Sequence, residues 1–184
     1  ADTLTVSIAM THTMHMARWI DLPALSLWTG DTHVHIDHSG GDYIVTPADA
    51  WWMGQGEGLN VVSCLDNDWY FTGGLDPSST PDCAVAMGEE NRAWVYGHVS
   101  MLGLSHLVQP VSGEPYWPML MDMADSAHAQ GAITIAAHPL TDGYFYALGD
   151  WPGSGVAREL PADLRRGAID AIDIRLRPDP NAAP

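Results

Sequence analysis

The chain contains no lysine. Its seven basic residues are all arginines, against 23 aspartates and glutamates, which gives a formal net charge of −16 over 184 residues. A surface this acidic repels nucleic acid phosphates and anionic membranes, so we expect neither as a partner. An excess of acidic side chains ordinarily keeps a protein surface solvated. The excess by itself does not indicate where a metal ion would bind.

Long apolar runs and cysteines are also scarce. No stretch of about 18 or more apolar residues occurs, so no transmembrane helix is expected. The two cysteines, Cys64 and Cys83, are too few for a zinc cluster by themselves and lack C-x-x-C spacing. Cys64 lies in an apolar run that is typical of a buried free thiol. A disulfide between the two stays open if the protein is exported.

The two ends of the sequence differ from its middle. It starts Ala-Asp-Thr and ends in a proline-rich stretch from Arg177, which suggests a piece of a longer protein whose signal peptide, if any, is removed. Residues 3–20 largely alternate between polar and apolar, which predicts a strand. We therefore assign residues 1–27 to a β-strand extension from the end of a preceding β domain, and 28–184 to the main domain. An unpaired strand of this kind favours oligomerisation.

Strand and helix patterns alternate through the main domain. Thr46 and Pro47 predict a helix start, with Asp49 at the third position, and Gly56 or Gly58 predicts its end. Helices are also predicted over residues 118–130 and 160–166. Buried or alternating strands are predicted over residues 59–65, 84–87, 93–104, 132–137 and 168–174. This order indicates an α/β fold with parallel pairing.

Histidines follow several of these strands. His33 and His35 are two residues apart on a strand, so both imidazoles project from one face, with Asp31 on the same side. His138 ends the apolar strand 132–137, and His98 follows the acidic pair Glu89-Glu90. Each histidine alone is more often structural. Together they predict a mixed histidine and carboxylate site for Zn²⁺, Mn²⁺ or Fe²⁺.

The surrounding motifs resemble those of the PHP (polymerase and histidinol phosphatase) superfamily, and among its branches most closely the CehA/McbA-like metallohydrolases. The resemblance implies a distorted (β/α) barrel with its site at the carboxyl ends of the strands. It implies that His33 and His35 hold one divalent metal, and that Glu90 bridges to a second held by His98 and His138. The motifs are Gly30-Asp-Thr-His-Val-His35, Ser39-Gly40-Gly41, Glu57-Gly58-Leu59-Asn60-Val61, Gly88-Glu89-Glu90, Gly97-His98-Val99 and Ala136-Ala137-His138-Pro139.

Two departures from that family pattern matter. Where many members carry an Asp-His pair after the second strand, this chain has Asp66-Asn67-Asp68, which leaves a third metal in doubt. Asp66, Asp68 and His38 are second-rank ligand candidates. The family's last ligand motif, Asp-x-His, should follow residues 168–174, so we expect the barrel to be incomplete at its C-terminal side.

The resemblance implies hydrolysis of an ester, either a phosphoester or a carboxyl or carbamate ester, by water activated at the metals. The absence of a G-x-S-x-G motif agrees with such a mechanism. Arg92 is a weak candidate for substrate binding. The alternative is a catalytically inactive PHP-like metal-binding or scaffold module, secreted or in a multi-subunit assembly, which the eight tryptophans favour. An extracytoplasmic location is favoured over the cytoplasm.

Overall fold

The structure is a computed structural model that describes residues 13, 15, 17, 19–36, 44–65, 70–93, 96–109, 118–139 and 159–173. A short 3-10 helix, Pro23–Leu25, precedes a mixed α/β unit, and no helix in the described part is long and apolar enough to cross a membrane. In chain order the elements are β1 Gly30–His35, α1 Pro47–Glu57, β2 Val61–Leu65, β3 Ala84–Ala93, β4 Gly97–Leu102, α2 Leu120–His128, β5 Ile133–Ala137, α3 Leu160–Arg166 and β6 Ala171–Ile172.

The six strands form one sheet in chain order. β1, β2 and β3 pair in parallel, as do β5 and β6, but β4 is antiparallel to both β3 and β5. The prediction of parallel pairing is therefore wrong for the two pairs that include β4. Only residues 94–96 separate β3 from β4. A parallel crossover needs a dozen or more residues, so the chain turns back and β4 runs against its neighbours.

The apolar residues of the sheet pack under the helices. α1 contacts β2 and β3, and α2 contacts β4 and β5. Because side chains alternate between the two faces of a strand, each central strand offers one apolar set to this core and turns the other set away. The core residues on the sheet are Val62, Cys64, Val85, Met87, Val99, Met101 and Ala136.

Helix α1 begins as its sequence predicts. The Thr46 hydroxyl accepts a hydrogen bond from the Asp49 amide at 3.2 Å, and the Asp49 carboxylate accepts one from the Thr46 amide at 2.9 Å. This reciprocal capping box satisfies amides that have no partner within the helix. Gly58 ends the helix with φ of 75°, a left-handed conformation that glycine adopts without a steric penalty.

Other local predictions have mixed outcomes. The helix predicted over residues 160–166 is confirmed as α3, whereas the strand predicted over 168–174 is reduced to Ala171–Ile172 among the described residues. Most of the strand predicted over residues 3–20 lies outside the described residues, and the assignment of 1–27 to a separate domain stays a prediction. Cys64 and Cys83 are both buried and not bonded to each other.

Helix α2 receives its cap from a distant residue. The Glu159 carboxylate accepts a hydrogen bond from the Leu120 amide at 2.9 Å. This bond satisfies one of the backbone N–H groups at the start of the helix that have no partner within the helix. Asp163 lies beside Glu159 and is fully buried, and no N–H group donates to its carboxylate among the described residues. Burial, the neighbouring charge of Glu159 and a hydrogen bond between the two carboxyl groups raise the pKa of Asp163 from 3.8 to about 7.

Replacing Asp163 by asparagine is expected to stabilise the protein above neutral pH. In the unfolded chain Asp163 ionises near its ordinary pKa, while the folded chain keeps it protonated until about pH 7. The free energy of unfolding therefore falls as pH rises from about 4 to about 7, and the penalty is complete above that. Asp163→Asn removes it, and we expect about 1–2 kcal/mol of added stability at pH 8 and little at pH 4. Urea unfolding at both pH values measures this, with the exposed Asp122→Asn as control. A pH-independent difference would contradict the burial argument.

Candidate metal centre

Polar side chains from four strands meet at one edge of the sheet. His33 and His35 lie near the carboxyl end of β1, and His138 directly follows β5. His98 stands at the start of β4 instead. Because β4 is the reversed strand, its amino end lies at the same edge as the carboxyl ends of its neighbours. The reversal of β4 therefore brings a fourth histidine to this edge.

Glu90 is at the centre of these histidines and is almost completely buried. Its Oε1 atom lies 3.1 Å from His98 Nδ1, 3.3 Å from His138 Nε2 and 3.5 Å from His33 Nε2. Its Oε2 atom lies 3.2 Å from His35 Nε2. One carboxylate thus faces all four imidazoles, and the structure brings together the five residues that the family resemblance named as ligands.

The pairing of β3 with β4 explains the contact between Glu90 and His98. Arg92 pairs with His98 across the two strands, and Glu90 pairs with Ser100. Glu90 and His98 are therefore diagonal neighbours on one face, a separation that long side chains bridge. Glu89 points to the other face, where its carboxylate accepts a hydrogen bond from the Val108 amide at 2.8 Å. The two adjacent glutamates therefore have different surroundings.

His138 reaches the cluster through an unusual backbone conformation. Its φ is 35°, in the left-handed region that residues with a side chain rarely adopt. Ala137, the last residue of β5, pairs with His98, so a regular strand would turn the next side chain to the opposite face. The left-handed residue interrupts that alternation and allows the His138 imidazole to contact Glu90. Strain of this kind is common at functional sites.

The β1 residues are held by local contacts. The two Nε2 atoms of His33 and His35 lie 3.1 Å apart, as expected for residues two apart on one strand face. The exposed Asp31 accepts a hydrogen bond from the His33 amide through Oδ1 at 3.0 Å. Asp31 therefore fixes the backbone at His33 in this structure, and its role as a ligand stays a prediction.

Arg92 lies within the cluster. Its Nε donates to Glu90 Oε2 at 2.7 Å, and its Nη2 lies 3.0 Å from His35 Nδ1. The guanidinium therefore compensates the buried Glu90 charge and also contacts the His35 ring. Substrate binding by Arg92 stays a prediction.

The charges in the cluster favour ionised Glu90. Burial alone would raise the pKa of Glu90, but hydrogen bonds from His138, His35 and His98 outweigh burial and hold the pKa well below its ordinary value. The hydrogen bond to Glu90 raises the pKa of His138, whereas burial lowers the pKa of His33. The negative charge of the Glu90 carboxylate can therefore be compensated by protonated imidazoles or by a bound cation.

The donor set fits a borderline divalent cation. One ligand atom from each of His33, Glu90 and His138 lies within 4.8 Å of the others. In addition, His98 Nε2 is buried without a hydrogen-bond partner among the described residues. Imidazole and carboxylate together suit Zn²⁺, Mn²⁺ or Fe²⁺. His38, Asp66 and Asp68, the second-rank candidates, lie outside the described residues.

An open cavity of about 790 Å³ adjoins the cluster. His33 of β1 and Asp173, which follows β6, both line it, although these two strands are the opposite edges of the sheet. The sheet is therefore curled, as in an incomplete barrel. The sequence analysis did not name Asp173 as a candidate site residue. Its position directly after a strand, which it shares with His138, could have indicated it. The cavity is lined by Gly30, Asp31, Thr32, His33, Glu57, Leu59, His138 and Asp173.

Comparison with solved structures finds a protein with a similar fold. A two-domain protein from Bacteroides vulgatus ATCC 8482, described as containing a predicted PHP-like metal-dependent phosphoesterase, matches with a TM-score of 0.54 and 21% sequence identity. The two proteins share a fold. The match covers 79% of this chain and 43% of the other, so this chain spans less than half of that protein's length. No protein-family model matches the sequence, and no curated protein matches it. The expectation of an α/β fold is confirmed, and its curled sheet is consistent with an incomplete barrel.

Proposed function

We propose that this protein is a metal-dependent hydrolase of the PHP type, within the CehA/McbA-like branch, that cleaves an ester bond. The observation that carries the proposal is the placement of one buried carboxylate, Glu90, against four imidazoles at the rim of an open cavity. Packing alone does not require four imidazoles to face one buried carboxylate, and two of them, His33 and His138, also line the cavity. The neighbouring fold, described as a predicted metal-dependent phosphoesterase, supports the same reaction class.

The residues of the cluster would have different roles in this function. His33, His35, His98, His138 and Glu90 would hold two divalent cations. A divalent cation held there supplies Lewis acidity, which activates water and polarises the scissile bond. Arg92 keeps Glu90 and His35 in place, and the cavity beside His33 and His138 admits the substrate.

The acidic cavity favours a small ester of low negative charge. Asp31, Glu57 and Asp173 line its wall, and no arginine does among the described residues. A multiply charged phosphate would meet like charges there and depend on the cations alone. We therefore propose a carboxyl or carbamate ester, or a phosphodiester, ahead of a phosphomonoester.

Removal of metal is expected to abolish turnover. The protein is treated with chelator, dialysed, and reloaded with Zn²⁺ or Mn²⁺, and a panel of nitrophenyl carboxyl esters, carbamates, phosphodiesters and phosphomonoesters is assayed at each step. We expect activity to fall to background with chelator and to return with metal, and His33→Ala to lose both metal and activity. Chelator-resistant hydrolysis in the wild type, or full metal content in His33→Ala by elemental analysis, contradicts the proposal.

A second candidate is an inactive metal-binding module in a larger, exported assembly. It is favoured by exposed tryptophans, since Trp28 and Trp52 are each 69% exposed and Trp19 is fully exposed. Exposed aromatic side chains are enriched at protein contacts. Stoichiometric metal without turnover on any ester of the panel, together with self-association in sedimentation, supports this candidate over the enzyme.

A further inference from the structure

We propose that Asp173 is an additional ligand of the metal centre, its carboxylate binding a cation that His33 and His138 also hold. The inference rests on the proposed metal-dependent function and adds to it a residue from the other edge of the sheet. Asp173 lies outside the compact set formed by His33, Glu90 and His138. Its carboxylate therefore has to approach the two imidazoles when the cation binds.

The strand pairing carries Asp173 to the site. β6 runs parallel to β5, with Ala136 opposite Ile172, and the Asp173 amide donates to the Ala136 carbonyl at 2.9 Å. Asp173 is therefore level with the end of β5, beside the residue that turns into the cluster, His138. In parallel strands, groups at the carboxyl ends meet at one edge, which is where ligands bind in α/β sheets.

The surroundings of Asp173 agree with a place in the metal centre. It lines the cavity together with His33 and His138, so its carboxylate and the two imidazoles face the same space. Among the described residues its carboxylate has no ion pair of its own. A half-buried carboxylate beside two imidazoles, without a salt-bridge partner, is a donor available to a cation.

Coordination by Asp173 would also join the two edges of the sheet. His33 belongs to β1 and Asp173 follows β6, so a cation bound to both would close the incomplete barrel across its gap. Metal binding would then stabilise the fold as well as the site, because the free energy of binding adds to that of unfolding.

The first test measures affinity without reference to activity. Zn²⁺ is titrated into the metal-free wild type, Asp173→Asn and Asp122→Asn, with calorimetry or a competing chromophoric chelator as readout. Asp122 is exposed on α2 and matches the charge change away from the cavity. We expect at least about tenfold weaker Zn²⁺ binding for Asp173→Asn and no change for Asp122→Asn. Equal affinity in all three proteins overturns the assignment.

The second test asks whether residue 173 touches the metal. Asp173→Cys and Asp122→Cys are loaded with Co²⁺, and the thiolate-to-cobalt charge-transfer absorption is recorded. The band is expected only for Asp173→Cys, since the native Cys64 and Cys83 are buried in the core away from the cluster. Its absence, with Co²⁺ bound, counts against Asp173 as a ligand. If the wild type binds neither Zn²⁺ nor Co²⁺, the proposed metal-dependent function is wrong. If the wild type binds them and Asp173→Asn binds them equally well, only the assignment of Asp173 as a ligand is wrong.

Discussion

Glu90→Gln is expected to weaken Zn²⁺ binding by more than about 100-fold and to abolish hydrolysis. Glu90 is the group that all four histidines face, at distances between 3.1 and 3.5 Å. A neutral amide is a poor ligand, and it offers no negative charge to offset a divalent cation in a buried setting. The substitution also removes the ion pair between Glu90 and Arg92.

The neighbouring Glu89 provides a matched control. It precedes Glu90 on β3 but lies on the other face, where burial raises its pKa to about 8 and the Val108 amide donates to it. Glu89→Gln keeps the acceptor for that amide and lies away from the metal centre. We expect its Zn²⁺ affinity to stay within about threefold of the wild type, because ligand effects are local to the coordinating face. Similar losses in both variants would mean that β3 itself is disturbed and that Glu90 has no special role.

Gly54→Leu is expected to destabilise the protein by about 3 kcal/mol or more. A Cβ atom at Gly54 would lie 2.6 Å from Val62 Cγ2 and 3.2 Å from Cys83 Sγ, so helix α1 approaches the sheet too closely for any side chain at this position. A leucine would force α1 away from β2 and β3. Because those strands carry or flank the cluster residues, we also expect weaker metal binding.

Gly56, on the same helix, is the control for this change. A Cβ atom there meets nothing within 4 Å, and the position is exposed. Gly56→Leu should leave stability unchanged or raise it by up to about 1 kcal/mol, since leucine has the higher helix propensity. Thermal and urea unfolding of the two variants measure the contrast. A loss at position 54 no greater than at 56 would show that the close approach of α1 is not required.

Local features of this protein follow from the sequence because they depend on neighbours in the chain. The capping box of Thr46 and Asp49 and the Gly58 helix end are short-range hydrogen-bond patterns. The common face of His33 and His35 follows from the two-residue period of a strand. The preference for Glu90 over Glu89 came from the family resemblance and not from the residues alone.

Long-range features were decided only by the tertiary structure. The direction of β4 depends on which strands it pairs with, and that direction brings His98 to the edge where His35 and His138 lie. The left-handed backbone at His138 is a property of the folded chain, and Asp173 reaches the cavity because β6 pairs with β5 and the sheet is curled. Such pairings depend on contacts that the hydrophobic period of a single segment does not specify, so the sequence could name candidate ligands but not show that they meet.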